Sequence, residues 1–408
     1  MKSNSITILF VLRDPLPPKR PDVLTLFGKE LTTLNIRSLF IGQFARGKET
    51  KSLCGGNLYA LGHYGGGIST LLIPFFDLYS AFRAYRAHSV DCIQVRDKIS
   101  SAVIFCFVAK LLRLPFVYWM SFPFVEGHEE QAMIVGRRKG ALIRFAYHFR
   151  AALARWTFYR IVLPKADHIF VQSDAMRAWL ASKGVEFERM TAVPMGVDVA
   201  LFNRSQIPPT DDSRLNGRRV ITYVGALGKA RNSIFLLELV TALKLVEPKI
   251  ILMLVGDARS PDEQQWIRDE ILNRGLEDFV LLTGWLSHEQ VGSYAVRAEV
   301  GLSPIPRGEL FDVSSPTKLI EYLALGIPSV ANDIPDQKLV IERSLAGICV
   351  PMEVGAFGDA VLRLLNDDNF RQQCASHGPL FARAERSYDV MAQRVASRYR
   401  EILAQYKC

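Results

Sequence analysis

The chain has 408 residues, 49% of them hydrophobic and 22% charged, with a formal net charge of +9. That is enough apolar material for two domains of about 200 residues, each with its own core, and it excludes a disordered or fibrous protein. No window approaches about 20 uncharged apolar residues, so a membrane-spanning helix is not expected and any membrane contact is peripheral.

The first element, Ile6 to Leu12, is apolar but short and runs into Arg13-Asp14-Pro15 without a small-residue cleavage site. It reads as a buried first strand rather than a signal peptide. Further apolar runs follow at Ser38 to Gly42, Cys92 to Val95, Phe116 to Met120, His168 to Gln172 and Met190 to Val193, separated by helix-length amphipathic stretches. This alternation predicts an α/β fold with a parallel sheet.

From Gln131 to Lys165 there is no acid, but there are Arg137, Arg138, Lys139, Arg144, Arg150, Arg155, Arg160 and Lys165 among many aromatics. On a helix, Leu142, Phe145, Phe149, Leu153, Trp156 and Leu163 form one stripe with Arg144, His148 and Arg155 on its flank. Such a helix suits an anionic membrane surface; the alternative is a helix packed on its own domain with a solvated basic face. No nucleic-acid recognition motif accompanies the charge, so nucleic acid is not expected as a partner.

Residues 203 to 213 are polar and contain Pro208-Pro209, which places a domain boundary near 205: domains 1–204 and 205–387. The charge divides there too, with a net of +11 over residues 1–202 and −2 over 203–408. The second half repeats the strand pattern at Val220 to Val224, Ile250 to Val255, Val280 to Thr283, Val300 to Ser303, Pro328 to Ala331 and Gly347 to Val350. Ligands of such sheets bind beyond the carboxyl ends of the strands, so a cleft between the domains is expected.

The most informative run is Phe311 to Ala331. Ser314 or Ser315 is placed to cap a helix, Pro316 suits its first turn and Gly326 its end. The free amides of such a helix start, with Thr317 and with Lys318 one turn in, suit a nucleotide diphosphate, and Glu321 lies within reach of a ribose. The six cysteines (Cys54, Cys92, Cys106, Cys349, Cys374, Cys408) show no metal spacing and fit reduced cytoplasmic thiols. No Asp-x-Asp occurs, so the usual carboxylate pair for a metal-bound nucleotide sugar is missing; no catalytic metal and no cofactor are expected.

With these motifs in order, the chain resembles the family 4 glycosyltransferases. Ser314 to Tyr322 is similar to a variant of their donor signature, with Glu321 at its second glutamate and Val313 where the first stands. Glu309 and Asp312 are the nearest substitutes for that carboxylate. Ala166 to Ser173, Val193 to Asp198 with Phe202, Tyr223-Val224-Gly225 through Arg231, Val255-Gly256-Asp257 and Thr283-Gly284 fall in the family's order.

The resemblance implies the GT-B fold, two Rossmann-like domains with a last helix, 388–408, crossing back to the first. It implies retaining transfer of a sugar from a nucleotide-diphosphate donor to a hydroxyl, here of a saccharide or lipid-linked acceptor. It assigns donor contacts to Gly225, Lys229, Arg231, Gly256, Asp257, Ser314, Ser315, Pro316, Thr317, Lys318 and Glu321. Arg231 and Lys318 would act catalytically by neutralising the leaving group, although the family's arginine position falls on Ala226. The family's catalytic histidine position falls on Ser121; Glu126 and His128 follow as catalytic candidates, with a solvated loop as the alternative. A nucleotide-sugar epimerase and a non-catalytic scaffold of the same fold are the competing readings, and a cytoplasmic location, peripheral to the inner face of the membrane, is expected.

Overall fold

The computed structural model describes residues 5–45, 52–53, 56–63, 69–136 and 140–407. Cys54, Cys408, Arg137, Arg138 and Lys139 lie outside the described residues, as does the side chain of Leu142. The chain forms two compact units, one of Met1–Pro194 with Tyr388–Cys408 and one of Met195–Ser387.

Unit 1 holds an eight-stranded sheet: β1 Ile6–Leu12, β2 Ile36–Phe44, β3 Ser52–Leu53, β4 Gly56–His63, β5 Cys92–Arg96, β6 Phe116–Met120, β7 His168–Val171 and β8 Met190–Ala192. Their spatial order is β3-β4-β2-β1-β5-β6-β7-β8, parallel except for the antiparallel β3–β4 pair. The central strands are continuous apolar runs because both faces of a parallel sheet are covered. β3 and β4 were not predicted: β3 spans two residues, and the mixed Gly-Asn-Leu-Tyr-Ala-Leu-Gly-His sequence of β4 carries no clear alternation, its pairing with β2 from Ser38↔Gly56 onward making it a strand. The last helix, Tyr388–Lys407, places Tyr388, Val395, Ala396 and Tyr399 in one core with Ile8, Phe10 and Phe170.

Unit 2 holds a six-stranded, wholly parallel sheet of β9 Arg219–Val224, β10 Ile250–Val255, β11 Val280–Gly284, β12 Val300–Ser303, β13 Ser329–Asn332 and β14 Gly347–Val350. Its order is β11-β10-β9-β12-β13-β14. Residues 195–204 fall in unit 2, ahead of the boundary expected near 205. Val197 and Phe202 pack with Leu319, Ile320 and Ala331, and the Val197 amide donates to the Arg386 carbonyl at 2.8 Å. The polar linker signal marks where the chain becomes exposed, whereas the packing divides ten residues earlier, after Pro194.

Candidate active site

In unit 2 the strand order reverses between β9 and β12, so the loops leaving their carboxyl ends diverge and open a crevice. The first of these loops begins at Gly225, whose φ of 140° is open to glycine and strained for other residues. A Cβ there would meet Lys318 Cε at 2.3 Å, so the lysine side chain lies directly on the backbone at the end of β9. Gly256, after β10, approaches as closely: its Cβ would meet the Gly225 carbonyl oxygen at 2.2 Å. The two sequence motifs thus meet at a glycine-on-glycine contact that side chains would prevent.

The helix Thr317–Ala324 starts on Pro316, in extended conformation, and no side chain caps it. This corrects the expected cap and the expected place of Pro316 in the first turn. The Ser314 hydroxyl donates to the Phe311 carbonyl at 2.6 Å instead. Ser315, buried, donates to Asp336 Oδ2 at 2.7 Å and accepts from the Met195 amide at 2.9 Å, while Arg386 donates to Asp336 Oδ1 at 2.7 Å. Both serines therefore hold the chain below the helix, and the helix start keeps its positive end for another anion.

Lys318 Nζ stands 5.2 Å from the centre of the Tyr223 ring. Tyr322, on the same helix, accepts the Val224 amide through its hydroxyl at 2.7 Å and lies against Gly301. The helix is thereby fixed to the end of β9. Burial pushes the Glu321 carboxyl up to about 7, against the nearby Lys318 charge, which pulls it down. Gly326, with φ of 65°, ends the helix as expected.

The remaining predicted donor residues are distributed around this centre. Arg231 lies 5.7 Å from the Phe311 ring and so connects the loops that follow β9 and β12. Lys229 Nζ lies 5.0 Å over Trp266, and its amide donates to Glu263 at 3.1 Å. Asp257 is buried and folds back on its own loop, accepting from the Ala258 amide at 2.7 Å. Val313 is buried, and Asp312 is held by Arg307 through bonds of 2.9 and 3.2 Å. Neither supplies a free carboxylate at the first glutamate position.

One supporting network has no motif in the sequence. Asn332 and Gln337, both fully buried, accept the Ile305 amide and donate to the carbonyls of Ser303 and Ile305 at 2.7–3.1 Å. They fix the loop leaving β12. An Asn ending a strand three residues before a Pro-initiated helix was the only available signal.

In unit 1 the strand order reverses between β1 and β5. Arg96, almost wholly buried, spans that point with an ion pair to Asp14 and one to Asp22 at 2.8 Å. Burial raises the Asp22 carboxyl, but Arg96 and Arg20 outweigh it and hold it low. Asp97, with φ of 55°, accepts from both the amide (2.8 Å) and the hydroxyl of Ser121; burial outweighs these contacts and raises its carboxyl.

Glu126 and His128 sit two residues apart on the helix Phe124–Gly136, hence on different faces. Glu126 is buried, bonded to the Tyr159 hydroxyl at 2.7 Å and to Lys183 at 3.2 Å. Burial, then the charges of Arg150 and Arg13, push His128 down to about 4, so its ring is neutral at pH 7. Its Nδ1 is buried and has no hydrogen-bond partner among the described residues.

On the helix Ala141–Thr157 the aromatic stripe is exposed at Phe145, Phe149, Leu153 and Trp156, whereas Leu163, expected to extend it, is buried. A similar exposed row, Leu72, Phe75, Tyr79 and Phe82, lies on the helix Ser69–Ala87. No helix among the described residues is long and apolar enough to cross a membrane.

Two family models match the chain, one described as glycosyl transferases group 1 over residues 218–367 and one as glycosyl transferase 4-like domain over residues 60–196. Alpha-D-kanosaminyltransferase of Streptomyces kanamyceticus is 29% identical over 190 residues, 46% of this chain and 47% of that protein. The alignment thus spans about half the length of the curated relatives the chain matches. Sucrose-phosphate synthase of Thermosynechococcus elongatus superposes with a TM-score of 0.70 at 17% identity, covering 98% of this chain and all of that one. Anabaena HepE, solved with UDP-glucose, superposes with a TM-score of 0.66 at 15% identity, covering 97% and 100%. The two structures speak to the fold, which is that of the GT-B glycosyltransferases.

Proposed function

We propose, from the premise that this chain belongs to the family 4 glycosyltransferases and has their GT-B fold, that it moves a sugar from a nucleotide-diphosphate donor to a hydroxyl acceptor with retention at the anomeric carbon. The observation that carries this reading is the uncapped start of the helix Thr317–Ala324 beside Gly225, with Lys318 laid across it. Its amides, Lys318 and Arg231 would stabilise the charge that builds on the departing diphosphate, so protein cations take the role a metal plays elsewhere. The departing phosphate, on the same face as the incoming hydroxyl, would help take its proton. Glu321 would accept from the ribose hydroxyls.

A lipid-linked saccharide is the proposed acceptor and the cytoplasmic face of a membrane the proposed place of work. Support comes from the exposed aromatic rows of unit 1 and the net charge of +11 over residues 1–202. With Val313 buried and Asp312 held by Arg307, this reading expects sugar hydroxyls to be read by other groups than a first glutamate.

The test is binding and slow hydrolysis of a panel of nucleotide sugars, beginning with UDP-glucose, which occupies Anabaena HepE. The expected result is one preferred donor, bound at least about tenfold more weakly by Lys318→Ala and by Glu321→Ala, a loss of about 1.4 kcal/mol or more. A wild-type protein that binds none of the panel would favour the scaffold reading.

A further inference from the structure

Unit 1 contains a cavity of about 1300 Å³ between the helix Ala141–Thr157 and the chain from Lys183 to Arg189. Its lining belongs to unit 1, whereas the residues assigned to donor chemistry belong to unit 2. The volume exceeds the roughly 300–1,000 Å³ usual for small-molecule sites and so admits a large ligand.

Its walls have two characters. Arg155, Arg160, Lys183 and Arg189 bring positive charge, against Glu129 and Glu186. Glu129 is already engaged by Arg155 at 3.1 and 3.2 Å, and Lys183 by Glu126. Arg189 donates to the carbonyls of Leu163 and Pro164 at 3.1 and 3.2 Å. Arg160 is exposed, and among the described residues it makes no hydrogen bond or ion pair. A planar guanidinium without a partner, set in a cationic wall, suits a phosphate group.

Trp156 also lines the cavity, and it is the last member of the exposed row Phe145, Phe149, Leu153 and Trp156. The spacing of four, four and three residues keeps this row on one helix face. Phe145 is 67% exposed and Trp156 58%, so none of the described residues covers it. An apolar track therefore runs along the helix and ends at a cationic cavity. A ligand matching both parts carries a long hydrocarbon chain and a phosphate or diphosphate head.

We infer that this cavity binds the diphosphate end of a lipid-linked acceptor, with the first isoprenoid or acyl units lying along the Phe145–Trp156 row. The assignment rests on the lipid-linked acceptor proposed above and names where that substrate is held. The saccharide beyond the diphosphate is then the part left free to meet the donor.

The experiment uses the full chain and farnesyl diphosphate, below its micelle concentration, as probe. The expected result is saturable binding that weakens at least about tenfold in both Arg160→Ala and Trp156→Ala, with inorganic diphosphate bound more weakly than the lipid. Binding unaltered in both variants overturns the inference. So does equal weakening by Arg160→Ala of binding to phosphatidylglycerol vesicles, which would make the site a generic bilayer contact. Nucleotide-sugar binding is measured on the same samples. Donor bound but farnesyl diphosphate not bound sinks the cavity while the transferase reading stands. Farnesyl diphosphate bound at the cavity with no donor bound supports the cavity and sinks the transferase reading.

Discussion

Glu321 shows how a single side chain is set by its place. The sequence put a carboxylate two turns from a helix start; the fold buried it enough to raise it to about 7, with Lys318 opposing. As a carboxylate it accepts from ribose hydroxyls, and as an acid it does so poorly. Donor affinity should therefore rise between about pH 6 and pH 8, and Glu321→Gln should flatten the profile. Nucleotide sugars are the right probe, because a free nucleoside diphosphate titrates near pH 6 on its own. The sign for stability is opposite. A carboxyl raised in the folded state destabilises the fold as pH climbs from its ordinary value of 4.5 through about 7, so Glu321→Gln should be the more stable protein at pH 8, by about 1–3 kcal/mol, and equal to wild type at pH 4. Thermal melts across that range check it; a gap that stays constant with pH would contradict the raised carboxyl.

At the scale of elements, the donor helix depends on one hydroxyl. Val224 is the last residue of β9, beyond the rungs that pair β9 with β12 at Ile221 and Thr222, so its amide has no strand partner on that side. The Tyr322 hydroxyl supplies one. Tyr322→Phe keeps the packing against Gly301 and removes only that acceptor, leaving a partly buried N–H unpaired at a cost of about 1–3 kcal/mol. Because the same bond ties the helix to the Gly225 loop, donor affinity should fall together with stability in urea denaturation. A stability loss with unchanged donor affinity would show that the loop holds its position without the helix. Elements were legible where periodicity was strong: all twelve predicted strands begin and end within about two residues of those observed. The strand Gly56–His63 was missed because only its neighbour in the sheet selects it, and the helix cap was misassigned because Ser315 is drawn to Asp336, 21 residues away.

For the whole molecule the uneven charge is the governing feature. A net of +11 over residues 1–202, with exposed aromatic rows on the helices Ser69–Ala87 and Ala141–Thr157, predicts attraction to anionic lipid reinforced by shallow insertion. Sedimentation with phosphatidylglycerol vesicles should fall steeply as salt rises from about 0.05 to about 0.5 M, since the attraction is screened within about 10 Å at 0.1 M. Phosphatidylcholine vesicles should retain little protein at any salt. Salt-insensitive binding would place the apolar rows, rather than the charge, in control.

What the sequence determined by itself was whatever depends on local order along the chain. The apolar runs required strands, their alternation with helices required parallel sheets, and the succession from Gly225 to Glu321 pointed to one end of the second unit as the expected phosphate site. Tertiary structure alone decided which groups remain available there. Ser315 faces Asp336 and Arg386, and Glu126 faces Tyr159 and Lys183, each partner distant in sequence; Asp312 faces Arg307 five residues away, across a turn. The ionic cluster around Arg96 and the amide network of Asn332 and Gln337 were invisible for the same reason. Spacing along a chain fixes which face a side chain takes, but pairing, burial and the charge a group holds are set by neighbours that only folding brings near.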